Sequence, residues 1–186
     1  MLCLTSVNSQ SPQQSASMAN LRQNYPANQL NWVENTLSKM SVEERIGQLF
    51  MVAAYSNRDY EHQKYINSLI KQHHIGGLIF FQGTPSKQVQ MINDFQRNSK
   101  TPLMIAIDGE WGLSMRLKQT QRFPKQLTLG AIQDNRLIEK MGAEIARQCK
   151  RVGVHINFAP VIDVNNNPNN PVINDRSFGE DKYNVA

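Results

Sequence analysis

An α/β fold with parallel strands is what this sequence predicts, and three features carry the prediction. Short apolar runs recur, as expected of strands buried on both faces. Between them lie segments with an apolar stripe at helical spacing. A chain of 186 residues with 40% hydrophobic residues can also bury a sizeable core. Strand followed by helix, repeated, means parallel strands joined by right-handed crossovers. Periodicity does not separate a doubly wound sheet from a barrel. No Gly-rich phosphate loop follows the first strand, which weighs against a dinucleotide-binding sheet.

Taken in order, residues 1–27 read as leader and linker, and the domain occupies 28–186. A helix is expected over 29–39, with Leu30, Val33 and Leu37 on one stripe. Ser41-Val42-Glu43-Glu44 has the pattern of a capping box and predicts a short helix over 42–48. Residues 49–54 form the first expected strand. Asp59 can cap a helix with Tyr65, Ile66, Leu69 and Ile70 inside, ended by Gly76-Gly77. The second strand is expected over 78–81. Ser86 is the expected cap of the next helix, which turns Val89, Ile92 and Phe95 inward, with Pro102 beyond it. The third strand covers 103–107, and a long loop with Phe123-Pro124 follows. Asp134 opens the most regular helix, with Leu137, Ile138, Met141, Ile145, Cys149 and Val152 at helical spacing and Gly153 at its close. The fourth strand is expected over 155–164, followed by a polar Asn- and Pro-rich loop.

Composition narrows the function classes. The net charge is +5, but the cations are scattered and make no basic stripe, so nucleic acid is not the expected partner. Cys3 and Cys149 make neither a disulfide framework nor a zinc site, and the four histidines lack ligand spacing. No metal and no cofactor are expected. No stretch is apolar for long enough to span a membrane. Val7 and Ser9 fit the small-residue pattern before a signal-peptidase cut, so 1–27 reads either as a signal-peptide remnant or as a disordered terminus. The first reading places the protein in the periplasm or outside the cell, the second in the cytoplasm.

Four segments together resemble glycoside hydrolase family 3. They are Lys39-Met40-Ser41-Val42-Glu43-Glu44-Arg45-Ile46-Gly47-Gln48-Leu49-Phe50, then Gly76-Gly77-Leu78-Ile79-Phe80-Phe81, then Ile107-Asp108-Gly109-Glu110 with Arg116 further on. The fourth is Asn157-Phe158-Ala159-Pro160-Val161-Ile162-Asp163-Val164, continuing into Arg176-Ser177-Phe178-Gly179-Glu180-Asp181. The arginine–serine–aromatic ending is more similar to the β-N-acetylhexosaminidase branch than to the glucosidase branch. The resemblance implies a (β/α)8 TIM barrel, which runs to about 250 residues. Only about the first four strand–helix units of such a barrel are then present.

Asp108 stands just past the third strand, at the C-terminal rim where barrel active sites are built. A carboxylate there can accept from two neighbouring hydroxyls, or it can cap its own turn. The resemblance assigns Asp108, Arg116 and Arg176 to substrate binding around the non-reducing sugar. Asp163 and Glu110 are read as supporting residues, because a buried arginine needs an acidic partner. Trp111 departs from the branch, which usually has glycine there. Its ring either stacks on a sugar or packs the loop. Asn165 to Asn170 reads as turn chemistry, and His155 as a core histidine.

The resemblance implies a retaining glycosidase that removes terminal N-acetylhexosamine from glycans or peptidoglycan fragments. Its nucleophile is an aspartate on a late strand, and its acid/base a histidine supported by an aspartate. Neither motif occurs in this chain, so no catalytic residue is named here. The C-terminal half of the barrel is expected downstream, and this segment alone is expected to be marginal, aggregation-prone and inactive. A β-glucosidase of the same family and a non-catalytic sugar-binding remnant remain as alternatives.

Overall fold

The structure is a computed structural model that describes residues 25–167 and 169–186. Residues 1–24 of the expected leader, with Cys3 and the Val7–Ser9 pattern, lie outside the described residues, as does Pro168. The chain divides into two units, residues 1–45 and 46–186. In the first unit, α1 (Ala27–Ser38) leaves Val33 and Leu37 of its expected stripe exposed. The next helix, α2 (Val42–Gly47), starts in the expected capping box. The Ser41 amide donates to the Glu44 carboxylate at 2.9 Å, and the Glu44 amide donates to Ser41 Oγ at 3.2 Å. Arg45 donates to the Leu37 carbonyl at 2.8 Å and ties the two helices together.

The second unit carries the sheet. Its strands are β1 (Met51–Ala54), β2 (Gly77–Phe80), β3 (Met104–Ile107) and β4 (Ile156–Asn157). They pair in parallel in the order β1-β2-β3-β4. A doubly wound sheet reverses its strand order at a switch point. This order never reverses, so the sheet is a singly wound part of a (β/α)8 barrel wall. The helices between strands are α3 (Tyr60–His73), α4 (Pro85–Asn98) and α6 (Asn135–Arg151). Two short helices, α5 (Gln126–Gly130) and α7 (Lys182–Val185), lie in stretches that the sequence marks only as loop. No helix among the described residues is long and apolar enough to cross a membrane.

Where strands and helices depart from expectation, backbone hydrogen bonding explains it. Leu49 and Phe50 are not in β1, because their amides close the end of α2 on Ile46 and Gly47 carbonyls. Both side chains are exposed, at 83% and 58%. The strand expected over 155–164 shrinks to two residues. The Phe158 amide makes the last ladder bond, to Ile107, and the Ala159 amide then turns back on Asn157. Proline follows, and it has no amide to donate. Helix α3 ends on His74 in the left-handed region, not on the two glycines. Gly76 instead permits a close backbone approach, since a Cβ there would sit 2.1 Å from the Gln48 carbonyl oxygen. Helix α4 begins one residue before the expected Ser86 cap, with Thr84 at the cap position and Pro85 at the first helical position, where its preset φ suits the turn.

The core lies between sheet and helices. Leu78, Phe80, Ile105 and Ile107 of the strands pack with Ile66, Ile70 and Phe95 of the helices, all nearly inaccessible to water. Cys149 sits in the same cluster, and burial pushes its thiol pKa up, which suits a packing residue rather than a nucleophile.

His62 joins α3 to the end of β1. Its ring Nε2 accepts from the Tyr55 amide at 3.0 Å, so the ring must be neutral there. Burial, then the Arg58 charge, holds its pKa below the usual imidazole value. The unfolded chain therefore takes up a proton at a higher pH than the folded one. The stabilisation is present above the ordinary pKa of about 6.5 and is lost as pH falls through the lower folded value. Thermal melting between about pH 7.5 and 5 should show this loss, and His62→Gln, which can still accept through its amide oxygen, should flatten it. Identical pH slopes in the two proteins would rule His62 out as the source.

Candidate functional site

Parallel register sets the site. Ala54 stands beside Phe80, Phe80 beside Ile107, and Ile107 beside Asn157. The residues that follow, Tyr55, Phe81, Asp108 and Phe158, therefore meet at one rim, the C-terminal end of the sheet. Side chains there face the loops and not the packed interior.

Asp108 is clamped by Arg116. The guanidinium Nη2 donates to Asp108 Oδ2 at 3.0 Å, and Nε donates to the Asp108 carbonyl at 3.1 Å. Only 29% of the Asp108 side chain and 17% of the Arg116 side chain are exposed. The Arg116 guanidinium lies 4.6 Å over the Phe81 ring. Phe81 stacks on Tyr55 at 5.4 Å, and the Arg58 guanidinium lies over the Tyr55 ring at 3.8 Å. This cation–aromatic–aromatic–cation ladder joins the ends of β1, β2 and β3.

A second pair crosses to the loop after β4. Glu110, with 5% of its side chain exposed, takes Arg176 Nε at 3.0 Å and Nη2 at 2.8 Å. Arg176 Nη1 also donates to the Val172 carbonyl at 3.2 Å. The hydrogen bonds from Arg176 to Glu110 hold the guanidinium pKa above its ordinary value, and the charges of Glu110, Asp163 and Asp108 add to this against the cost of burial. Asp163 itself is exposed, and its carbonyl accepts from the buried Ser177 hydroxyl at 2.5 Å.

Several further residues shape the rim. The Asn157 side chain accepts from the Gly109 amide at 2.8 Å and donates back to the Gly109 carbonyl at 3.3 Å, extending the β3–β4 ladder by one step. Gln126, fully buried, donates to the Glu110 carbonyl at 2.8 Å. Lys125 pairs with Asp175 at 2.5 Å and lies 5.2 Å from the centre of the half-buried Trp111 ring. Trp111 therefore packs on a cross-loop ion pair. For Asn157 the sequence carried a signal, because it opens the fourth of the family-like segments. Gln126 and Lys125 had none, because their helix is only five residues long. His155 is exposed and not in the core, although its Nδ1 accepts from the Ile105 amide at 3.0 Å. In the loop over 165–170, Asn167 and Asn170 side chains accept from backbone amides two residues on.

Chemically, the rim offers a fixed acceptor and a fixed donor. Arg116 engages one carboxylate oxygen of Asp108 and leaves Oδ1 for ligand hydroxyls. Arg176 spends its Nε–Nη2 edge on Glu110 and one Nη1 N–H on the Val172 carbonyl, and keeps the remaining N–H of Nη1 and of Nη2. Such a pairing suits a neutral polyol. Among the described residues, no three His, Cys, Asp or Glu side chains are placed to hold a metal.

Comparisons with known proteins agree on one group. The family model described as "Glycosyl hydrolase family 3 N terminal domain" matches residues 41–186. The chain is 28% identical over 155 residues to a "Beta-N-acetylglucosaminidase/beta-glucosidase" of Cellulomonas fimi, covering 83% of this chain and 27% of that protein. It is 37% identical over 128 residues to "Beta-hexosaminidase A" of Pseudoalteromonas piscicida, covering 62% of this chain and 21% of that protein. A solved family 3 β-N-acetylglucosaminidase from Paenibacillus sp. str. FPU-7 superposes with a TM-score of 0.70 at 30% identity, covering 78% of this chain and 29% of that one. The chain thus spans about a quarter of the length of these relatives.

Breaking the buried pair tests its weight. Glu110→Gln leaves the half-buried Arg176 charge without its counter-ion, and should cost about 1–3 kcal/mol of stability. The loop over 170–178 should also become the first site of proteolytic cleavage. Unchanged melting and an unchanged cleavage pattern would show that the pair contributes little.

Proposed function

Because the chain belongs to glycosyl hydrolase family 3, as that family's N-terminal domain, we propose that it supplies the sugar-binding part of the rim of a glycosidase. The enzyme removes terminal N-acetylhexosamine from glycans or peptidoglycan fragments. The observation that carries this reading is the meeting of two carboxylate–arginine pairs at the C-terminal rim, Asp108–Arg116 and Glu110–Arg176. Asp108 accepts from two hydroxyls of the terminal sugar, and Arg116 keeps it aimed. Arg176 donates to the same sugar, while Glu110 and the Asp163 segment hold it in place. The names of the C. fimi, P. piscicida and Paenibacillus relatives support N-acetylhexosamine as the substrate class.

In this proposal the acid/base and the nucleophile of the retaining reaction stand on further strands of the barrel, supplied by chain that continues past residue 186. The edges of β1 and β4, unpaired among the described residues, support it, as do the exposed Leu49, Phe50, Phe158 and Ile162. Export to the periplasm or beyond the cell completes the proposal and rests on the Val7–Ser9 pattern.

A β-glucosidase activity is the second reading, favoured by the double name of the C. fimi relative. Chromogenic β-N-acetylglucosaminide and β-glucoside, given in parallel to the whole protein, decide between them. Preferential cleavage of the N-acetyl substrate is expected. Asp108→Asn should lower kcat/KM about 10- to 100-fold through weakened hydroxyl binding. Preference for the glucoside would transfer the assignment to the second reading. No cleavage of either, with N-acetylglucosamine still raising the melting temperature, would leave a sugar-binding remnant.

A further inference from the structure

A cavity opens beside the Asp108–Arg116 clamp, with Arg116 in its wall. It measures about 510 Å³ and is lined by Asn57, Gln82, Thr84, Lys87, Arg116 and Lys118, among others. No acidic side chain lines it. Three cations and neutral hydrogen-bonding side chains make up its polar wall.

The frame of this cavity is built by the backbone. Gly83 and Leu117 form a parallel bridge: the Gly83 amide donates to the Arg116 carbonyl at 3.2 Å, and the Lys118 amide donates to the Gly83 carbonyl at 2.9 Å. Leu117 is fully buried, whereas Arg116 and Lys118 on either side of it both line the cavity. The approach is close enough that a Cβ on Gly83 would sit 1.6 Å from Ser56 Oγ. Lys87 enters from the first turn of α4. The Thr84 side chain does not cap that helix. The Ser86 and Lys87 amides precede its first helical bond, from Gln88 to Thr84, and their partial positive charge adds to that of the side chains. Arg116 is neutralised by Asp108, whereas neither Lys87 nor Lys118 has an ion-pair partner among the described residues.

We propose that this cavity is an oxyanion subsite, taking a phosphate or carboxylate group carried by the glycan whose terminal sugar Asp108 holds. The inference rests on the sugar-binding reading of the rim and narrows its substrate class to anionic glycans. Lys87 and Lys118 share the negative group, with the helix terminus behind them. A neutral sugar gains nothing from the cavity.

Titration calorimetry on the whole protein tests this with three probes: N-acetylglucosamine, N-acetylglucosamine 6-phosphate and inorganic phosphate. The phosphorylated sugar should bind about tenfold more tightly than the neutral one. That advantage should vanish in the double variant Lys87→Ala/Lys118→Ala and shrink in about 0.5 M salt. Neutral-sugar binding should be the same in both proteins, which also shows that the variant is folded. Inorganic phosphate that binds as tightly as the phosphorylated sugar, and loses binding in the variant, keeps the oxyanion site but makes its source a free anion. Neutral sugar that fails to bind while phosphate still depends on the lysines overturns the glycan reading and not the subsite. Anion binding that is absent, or indifferent to the two lysines, overturns the subsite whatever the neutral sugar does.

Discussion

Glu110 is buried, and its contact with Arg176, 66 residues later in the chain, holds the rim together. Taking a carboxylate out of water costs several kcal/mol, and only close, well-directed donors offset it. Arg176 supplies two such donors in a fork, and its shape matches the carboxylate. Once that pair forms, the loop after β3 and the loop after β4 cannot move independently. Lys125 with Asp175 repeats the link at the surface, and Gln126 fixes the Glu110 backbone from below. Even the absence of a side chain contributes, because a Cβ on Gly130 would lie 1.7 Å from the Phe178 carbonyl oxygen.

The other half of the rim depends on register. Parallel pairing without slippage ends β1, β2 and β3 at one level, so Tyr55, Phe81 and Asp108 emerge side by side. The aromatic pair then gives Arg116 a flat, apolar surface to lie on, and the guanidinium edge is left to grip Asp108. A one-residue slip would send Asp108 to the other face of the sheet and remove the site altogether.

Much of this was legible in the sequence, for particular reasons. Ile66 and Ile70 in α3, or Ile145 and Cys149 in α6, repeat at helical spacing because one face of each helix is buried. The capping box at Ser41–Glu44 is a contact between neighbours in sequence, so a few letters suffice to announce it. Strand ends were less legible. Leu49 and Phe50 look like strand because they are apolar, yet their amides are already committed to α2. Residues 158–164 look like strand for the same reason, but the chain turns on itself at Ala159 and Pro160. Apolar character reports burial preference and says nothing of which carbonyl an amide will find.

Sequence alone determined that strands and helices alternate and which helix faces carry most of the core, and its motifs singled out Asp108, Glu110, Arg116 and Arg176 as candidate site residues. Each of these is a local pattern or a short motif. The tertiary structure decided that the strand order never reverses, which makes the sheet part of a barrel wall. It also decided who pairs with whom: Arg116 with Asp108, and Arg176 with Glu110 where the sequence pointed first to Asp163 as the arginine's partner. Charge pairing between residues far apart in the chain depends on distances of a few ångströms in space, and those distances exist only once the strands have taken their register.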